Sequence, residues 1–221
     1  LQPNLLKKIE DSTIIFIKPY HFFVLKNMRI TGGTLGSRTL NTSGFVGIRP
    51  TTDRAREMMF NILANHCDFE GLHVLDLCAG TGALGFETMS RGASSGVFVE
   101  KHRGNAERIR TSAQMLGVSD QTTILCADCV KAITILNNST NQAASQLAPS
   151  NIVFCDPPYA AKLINPVVAA LQSSSILAPN AIFVAEHDTR EAVLPPHGWE
   201  KFAERVLGET MVEFFRTSSN A

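Results

Sequence analysis

"VLDLCAGTGALG", Val74 to Gly85, decides how this chain is read. An apolar run ends at Asp76 and Leu77, a glycine-rich turn follows, and a helical pattern begins at Ala83. Gly80, Gly82 and Gly85 satisfy G-x-G-x-x-G, and Glu100 lies 20 residues beyond Gly80 at the end of the next apolar run. Glycines in such a turn let the backbone approach a nucleotide, and an acid at that spacing can accept hydrogen bonds from ribose hydroxyls. Taken literally this is a dinucleotide fingerprint. Asp76 opposes it, because a pyrophosphate in the loop would face a carboxylate four residues before Gly80. S-adenosyl-L-methionine has no phosphate and carries an ammonium and a sulfonium, both attracted by a nearby carboxylate. Asp128, after the third apolar run, is placed to face the adenine amine.

On either side of this loop, short apolar runs alternate with helical patterns. Strands are expected at His73–Leu77, Gly96–Glu100, Thr122–Ala127, Ile152–Cys155 and Ala181–Glu186, with helices at Ala83–Arg91, Arg103–Leu116, Val130–Leu136 and Lys162–Ser173. Alternation at this spacing predicts an α/β fold, a mostly parallel sheet with helices on both faces. Trp199–Val206 and Met211–Thr217, separated by Gly208, read as an antiparallel hairpin closing the sheet edge. The polar stretch 137–150 reads as a surface loop without chemistry.

The run Ile152–Cys155 stops at "DPPY", Asp156 to Tyr159. Two prolines stiffen the turn and donate no backbone N–H. At the carboxyl end of a strand it borders the crevice where open α/β sheets bind ligands. Asp156 and the Pro157 carbonyl offer acceptors, and Tyr159 offers a flat face. Together with Pro158 they suit a planar ring bearing an exocyclic amine. Such an amine is a poor nucleophile because its lone pair is delocalised. Acceptors on its hydrogens favour pyramidalisation and direct the lone pair at a methyl group.

Composition agrees with a soluble globular protein: 44% hydrophobic, 18% charged, formal net charge zero. The balance hides an asymmetry. Residues 1–56 hold nine Lys/Arg against three Asp/Glu, and residues 57–221 hold eleven against seventeen. A basic arm on an acidic body suggests a polyanion met through one end. Five cysteines, an odd number, fit reduced thiols in the cytoplasm, and the lone C-x-x-C of Cys126 and Cys129 is weak evidence for zinc, so no metal is expected. Residues 1–27 are too interrupted to span a membrane and make a poor signal peptide. They read either as an extension ahead of a start at Met28 or as an extra surface element.

"DLCAGTGALG", "VEK" (99–101), "CADC" (126–129) and "DPPY" resemble the class I S-adenosylmethionine-dependent methyltransferases that act on exocyclic amines. More narrowly, "MRITGGTLGSRTL" (28–40), "RPTTDRAREMMFNIL" (49–63) and "GETMVEFFRT" (208–217) resemble the bacterial small-subunit ribosomal RNA guanine-N2 methyltransferase family, RsmD. The resemblance covers about residues 28–217. It implies a Rossmann-like methyltransferase domain over 65–221, a small basic hairpin-and-helix extension over 28–64, and methyl transfer to N2 of one guanine in an assembled ribonucleoprotein particle, leaving S-adenosyl-L-homocysteine. It implies cofactor contacts at Asp76, Cys78, Gly80, Thr81, Gly82, Glu100, Lys101, Asp128 and Cys129, and chemistry at Asp156, Pro157, Pro158 and Tyr159. Cys78 stands where that family often has Phe, and the 137–150 insert is longer than usual.

Arg29, Arg38, Arg49, Arg54 and Arg56 then form a phosphate-binding stripe around a glycine-turned hairpin and a helix start, with Asp53 in the helix's first turn. A monomer docking on a large particle is expected. A DNA adenine-N6 methyltransferase shares the DPPY turn, but about 70 residues between Gly82 and Asp156 leave no room for the usual target-recognition insert. A nicotinamide-dependent oxidoreductase is opposed by Asp76 and DPPY. A non-catalytic RNA-binding assembly factor is the remaining alternative.

Overall fold

The computed structural model describes residues 28–40, 42, 45, 51–138, 147–158, 161–195 and 197–217. A two-residue antiparallel ribbon, β1 (Met28–Arg29) with β2 (Thr39–Leu40), opens the described chain. Helix α1 (Asp53–Ala64) follows, capped by Thr52, whose hydroxyl accepts from the Ala55 N–H at 3.2 Å. Then come β3 (His73–Asp76), α2 (Ala83–Ser90), β4 (Ser95–Val99), α3 (Arg103–Leu116), β5 (Thr122–Leu125) and α4 (Cys129–Asn137). The chain ends with β6 (Ser150–Cys155), α5 (Ile164–Gln172), β7 (Leu177–Asp188), β8 (Trp199–Leu207) and β9 (Thr210–Thr217).

Seven strands form one sheet in the order β5-β4-β3-β6-β7-β9-β8. The first five of these are parallel, and β9 and β8 add antiparallel. The expected elements are all present, with ends moved by a few residues. The largest change is at β7, which runs on both sides of the expected Ala181–Glu186: Leu177 pairs with Ser150 of β6 at one end, and β9 pairs with it as far as Asp188 at the other. The hairpin is inserted with its second strand inward, so β8 forms the edge.

Strand alternation sends two sets of side chains to opposite faces. Val74, Phe98, Ile152, Phe154, Ile182 and Val184 pack under α1, α2 and α3. Leu75, Val97, Val153, Phe183 and Ala185 pack against α4 and α5. Met28, Ile30, Leu35 and Leu40 of the ribbon belong to the first cluster, so the amino-terminal arm shares the core of the body. It is also pinned by polar bonds: the Thr31 N–H and hydroxyl donate to Glu87 of α2, and the Leu35 N–H donates to the Ser90 hydroxyl.

The chain runs outward from β3 through β4 to β5, then returns to place β6 on the other side of β3. That reversal opens a crevice at the carboxyl ends of β3 and β6, the position where open α/β sheets bind ligands.

Candidate active site

The glycine loop and the proline turn flank this crevice. The Leu77 N–H, just past β3, donates to the Phe154 carbonyl of β6 at 2.9 Å, which fixes the spacing of the two turns. Gly80 and Gly82 both have positive φ, and a Cβ at Gly82 would sit 2.7 Å from the Phe86 ring. A side chain at Gly85 would collide with the Phe98 ring, so α2 can lie close on β4 only through a glycine. At its glycines the loop therefore presents bare backbone to a cavity of about 1070 Å³. Asp76, Glu100, Asp128, Asp156 and Glu186 all line that cavity.

Asp76 is only 2% exposed, and its Oδ2 accepts from the Gly85 N–H at 3.2 Å. Burial, opposed by the Gly85 hydrogen bond and reinforced by the charges of Asp156 and Glu100, pushes its pKa up to about 7. Glu100 is held from two sides: Gly80 N–H donates to one oxygen at 3.2 Å and His102 N–H to the other at 2.7 Å. Its carboxylate is thereby locked beside the loop, with lone pairs remaining for hydroxyl donors. One oxygen of Asp128 caps α4, accepting from Val130 and Lys131. Lys101 is exposed at the rim, and Thr81 is buried with its hydroxyl against the Met28 sulfur at 3.5 Å.

Cys78 and Cys129 also line the cavity, and with Cys155 they form a hydrogen-bonded trio of thiols. The Cys78 bond and then burial hold the Cys129 thiol far above its ordinary range, so this part of the wall is neutral. The C-x-x-C does not act as a pair: Cys126 is exposed with its sulfur toward the Lys101 carbonyl, and Cys129 faces Cys78. Among the described residues no group of three or more His, Cys, Asp or Glu has the geometry to hold a metal.

Asp156 accepts from the Thr51 hydroxyl at 3.2 Å. Pro157 and Pro158 line the cavity beside it, and Tyr159 lies outside the described residues. The amino-terminal arm thus reaches the DPPY turn directly. Sequence reading missed Thr51, whose only signal is its place one residue ahead of the helix cap in "RPTTD". It also missed Glu186, although the carboxyl end of the strand after DPPY was the place to look.

The arginine stripe requires one correction. Arg56 is fully buried and cannot meet a phosphate. Its guanidinium donates to the Arg29 carbonyl at 2.7 Å, the Thr51 carbonyl at 3.0 Å and Asp53 at 2.7 Å. It is an internal strut between β1 and the start of α1, on the same helix face as Met59, Phe60 and Leu63. Arg29, Arg38 and Arg54 are exposed, Arg38 with one nitrogen on the Leu116 carbonyl and Arg54 at the cavity wall. Arg49 lies outside the described residues. No helix among the described residues is long and apolar enough to cross a membrane.

Comparison with known proteins gives consistent matches over nearly the whole described chain. A family model described as "Conserved hypothetical protein 95" matches residues 28–216. The ribosomal RNA small subunit methyltransferase D of Escherichia coli K12 is 30% identical over 191 residues, 86% of this chain and 89% of the relative. The protein of the same name from Haemophilus influenzae is 29% identical over 186 residues, covering 82% and 89%. A solved structure described as the putative methyltransferase yhhF from Escherichia coli superposes with a TM-score of 0.73 at 27% identity, covering 88% of this chain and 99% of that one. A Salinibacter ruber RNA methyltransferase solved with S-adenosyl-L-homocysteine shares the fold, with a TM-score of 0.53 at 16% identity, covering 77% and 94%.

Proposed function

The chain belongs to the small-subunit ribosomal RNA methyltransferase D family, and from that premise we propose that it transfers a methyl group from S-adenosyl-L-methionine to the N2 amine of a guanine in small-subunit ribosomal RNA. The observation that carries this reading is the pairing of two acids, Asp76 and Asp156, at the carboxyl ends of neighbouring strands and open to one cavity. One is buried and pushed up to about 7, as a site awaiting a cation would be. The other sits in a stiff turn, where an amine would need an acceptor.

The residues fit the cofactor. The Gly80–Gly82 backbone leaves room for a close approach, Asp76 matches its positive end, and Glu100 is held ready for two ribose hydroxyls. Asp128 and Lys101 stand at the rim where the adenine end would lie, and the neutral Cys78–Cys129 wall suits an apolar contact. The bound cofactor supplies an electrophilic methyl group. The chain's own work is positioning and charge. Asp156 and the Pro157 carbonyl accept the two amine hydrogens, which favours pyramidalisation of N2 and turns its lone pair toward the cofactor side of the crevice. As positive charge develops on N2, the Asp156 interaction strengthens, so it acts on the transition state more than on substrate binding. Thr51 orients the Asp156 carboxylate from the arm side. Tyr159, next in sequence after Pro158, is assigned the stacking face. The target base must leave its stack to reach this turn. Arg29, Arg38, Arg49 and Arg54 are assigned to RNA phosphates, with an assembled particle as the substrate.

Methyl transfer to small-subunit particles, naked ribosomal RNA and DNA, with the modified nucleoside identified by mass spectrometry, tests this reading. N2-methylguanosine in the particle is expected. N6-methyladenine in DNA, or no methylated product from any of the three, overturns it.

A further inference from the structure

Asp156 does not stand alone beyond β6. In the parallel pair β6–β7 the register matches Phe154 with Val184 and Cys155 with Ala185, so Asp156 and Glu186 follow at the same level on neighbouring strands. Ile152 and Phe154 share one sheet face with Ile182 and Val184, and the two-residue period carries Asp156 and Glu186 to that same side. Asp76 is there too, two residues beyond Val74. The sheet order β3-β6-β7 therefore brings three carboxylates to one side, all lining one cavity: Asp156 and Glu186 at the same level, and Asp76, whose partner on β6 is Phe154, two residues lower on β3. Strands lie about 4.8 Å apart and rise about 3.3 Å per residue, so Asp76 and Glu186 stand roughly 12 Å apart, room for a cofactor's reactive end plus one base. Glu186 is on the side of Asp156 away from the cofactor loop. The β8–β9 turn, Leu207 and Gly208, and Thr210 close the cavity beyond it.

We propose that Glu186 reads the base: it accepts the N1–H of the target guanine while Asp156 accepts the N2 amine, and this selects guanine against any purine whose N1 is an acceptor. The inference rests on the guanine-N2 reading above and adds the residue that enforces it. Guanine presents two adjacent kinds of donor on one edge, N1–H and the N2 amine, and two carboxylates side by side on adjacent strands complement them. A purine with a lone pair at N1 would point it at the Glu186 carboxylate, lose the hydrogen bond and gain repulsion. A site built around an N–H rejects the analogue that lacks it far more strongly than an apolar pocket rejects a missing methylene. With N1–H held at β7 and N2 held at β6, the amine is the atom nearest the cofactor loop, so the same contact sets which atom is methylated.

The test uses small-subunit RNA assembled into particles with either guanine or 2,6-diaminopurine at the target. The analogue keeps the 2-amine and has an acceptor at N1. For the wild-type enzyme, kcat/KM should favour guanine by about 100-fold or more. Glu186→Gln should collapse that preference to within about 10-fold or reverse it, because an amide can donate to N1. Glu186→Asp, which keeps the charge but shortens the reach, should retain the preference for guanine at reduced kcat/KM, and it decides the matter should the Gln variant fail to fold. Equal wild-type rates on the two bases, a Gln variant that keeps the full preference, a Gln variant slowed equally on both, or an Asp variant indistinguishable from wild type would each overturn the proposal. Failure of the underlying guanine reading looks different: the wild-type enzyme would then make no N2-methylguanosine in guanine-bearing particles.

Discussion

Glu87 and Asp76 are both buried carboxylates near the glycine loop, and the fold treats them differently. Glu87 of α2 accepts from Arg91 at 2.8 and 3.0 Å and from the Thr31 N–H and hydroxyl at 2.7 Å each. Its charge is answered within the chain, and the result is a clamp between the amino-terminal ribbon and the body. Asp76 accepts from backbone N–H groups at Gly85 and Cys78 and is pushed up by burial and by Asp156 and Glu100. Its environment favours the proton until a cation comes close. One acid organises structure; the other is left perturbed at a cavity wall, the environment in which functional carboxylates tend to be found.

That contrast can be tested by substitution. The largest effect is expected on the ligand side: Asp156→Ala should lower kcat by about 30- to 1,000-fold, or roughly 2–4 kcal/mol, with cofactor affinity near wild type. Single-turnover methyl transfer beside a calorimetric titration separates the two quantities. On the structural side, Glu87→Ala leaves the Arg91 guanidinium and Thr31 donors without their acceptor and should cost about 3 kcal/mol of stability, visible as a lower melting temperature. A melting temperature unchanged by Glu87→Ala would remove the clamp.

Asp76→Asn should act in the opposite direction on the unliganded protein. A folded pKa raised from the usual 3.8 to about 7 means that the folded state holds the proton more tightly than the unfolded state. Stability from this group is fully present below about pH 4 and is lost as pH rises through about 7. The Asn variant should therefore gain about 3 kcal/mol on wild type between pH 4 and pH 8, offset at both values by whatever the amide fit costs. Parallel denaturation curves at both pH values would refute this. The smallest effect belongs to the arm: neutralising Arg29, Arg38 and Arg54 together should flatten the salt dependence of RNA binding by a slope of about 2, at roughly 0.7 per phosphate contact. An unchanged slope would assign these arginines to the protein's own acids.

Most of the fold is legible in the sequence because apolar period and glycine punctuation are local signals. The glycine loop, the DPPY turn and every strand of the sheet are found that way. What is not legible is set by partners far apart in the chain. The Thr31–Glu87 clamp joins residues 56 apart, and the Thr51–Asp156 bond joins residues 105 apart. Arg56 is the instructive error. In "RPTTDRAR" it looks like its neighbours, yet it shares the i, i+3, i+4, i+7 stripe with Met59, Phe60 and Leu63, which marks the inward face. Glu186 carries no local signal beyond ending an apolar strand, because its significance comes from the β6–β7 register.

The central claim is that the counter-charge of Asp76 arrives with the cofactor. Calorimetric titration of the wild-type protein and Asp76→Asn with S-adenosyl-L-methionine from pH 5 to 6.7, about a unit or more below the pKa of an α-amino group, measures it. Wild-type affinity should rise with pH toward about 7, with proton release on binding below that value, and the Asn variant should bind more weakly with a flat profile. A wild-type affinity independent of pH, or an Asn variant that binds as tightly as wild type, would contradict it.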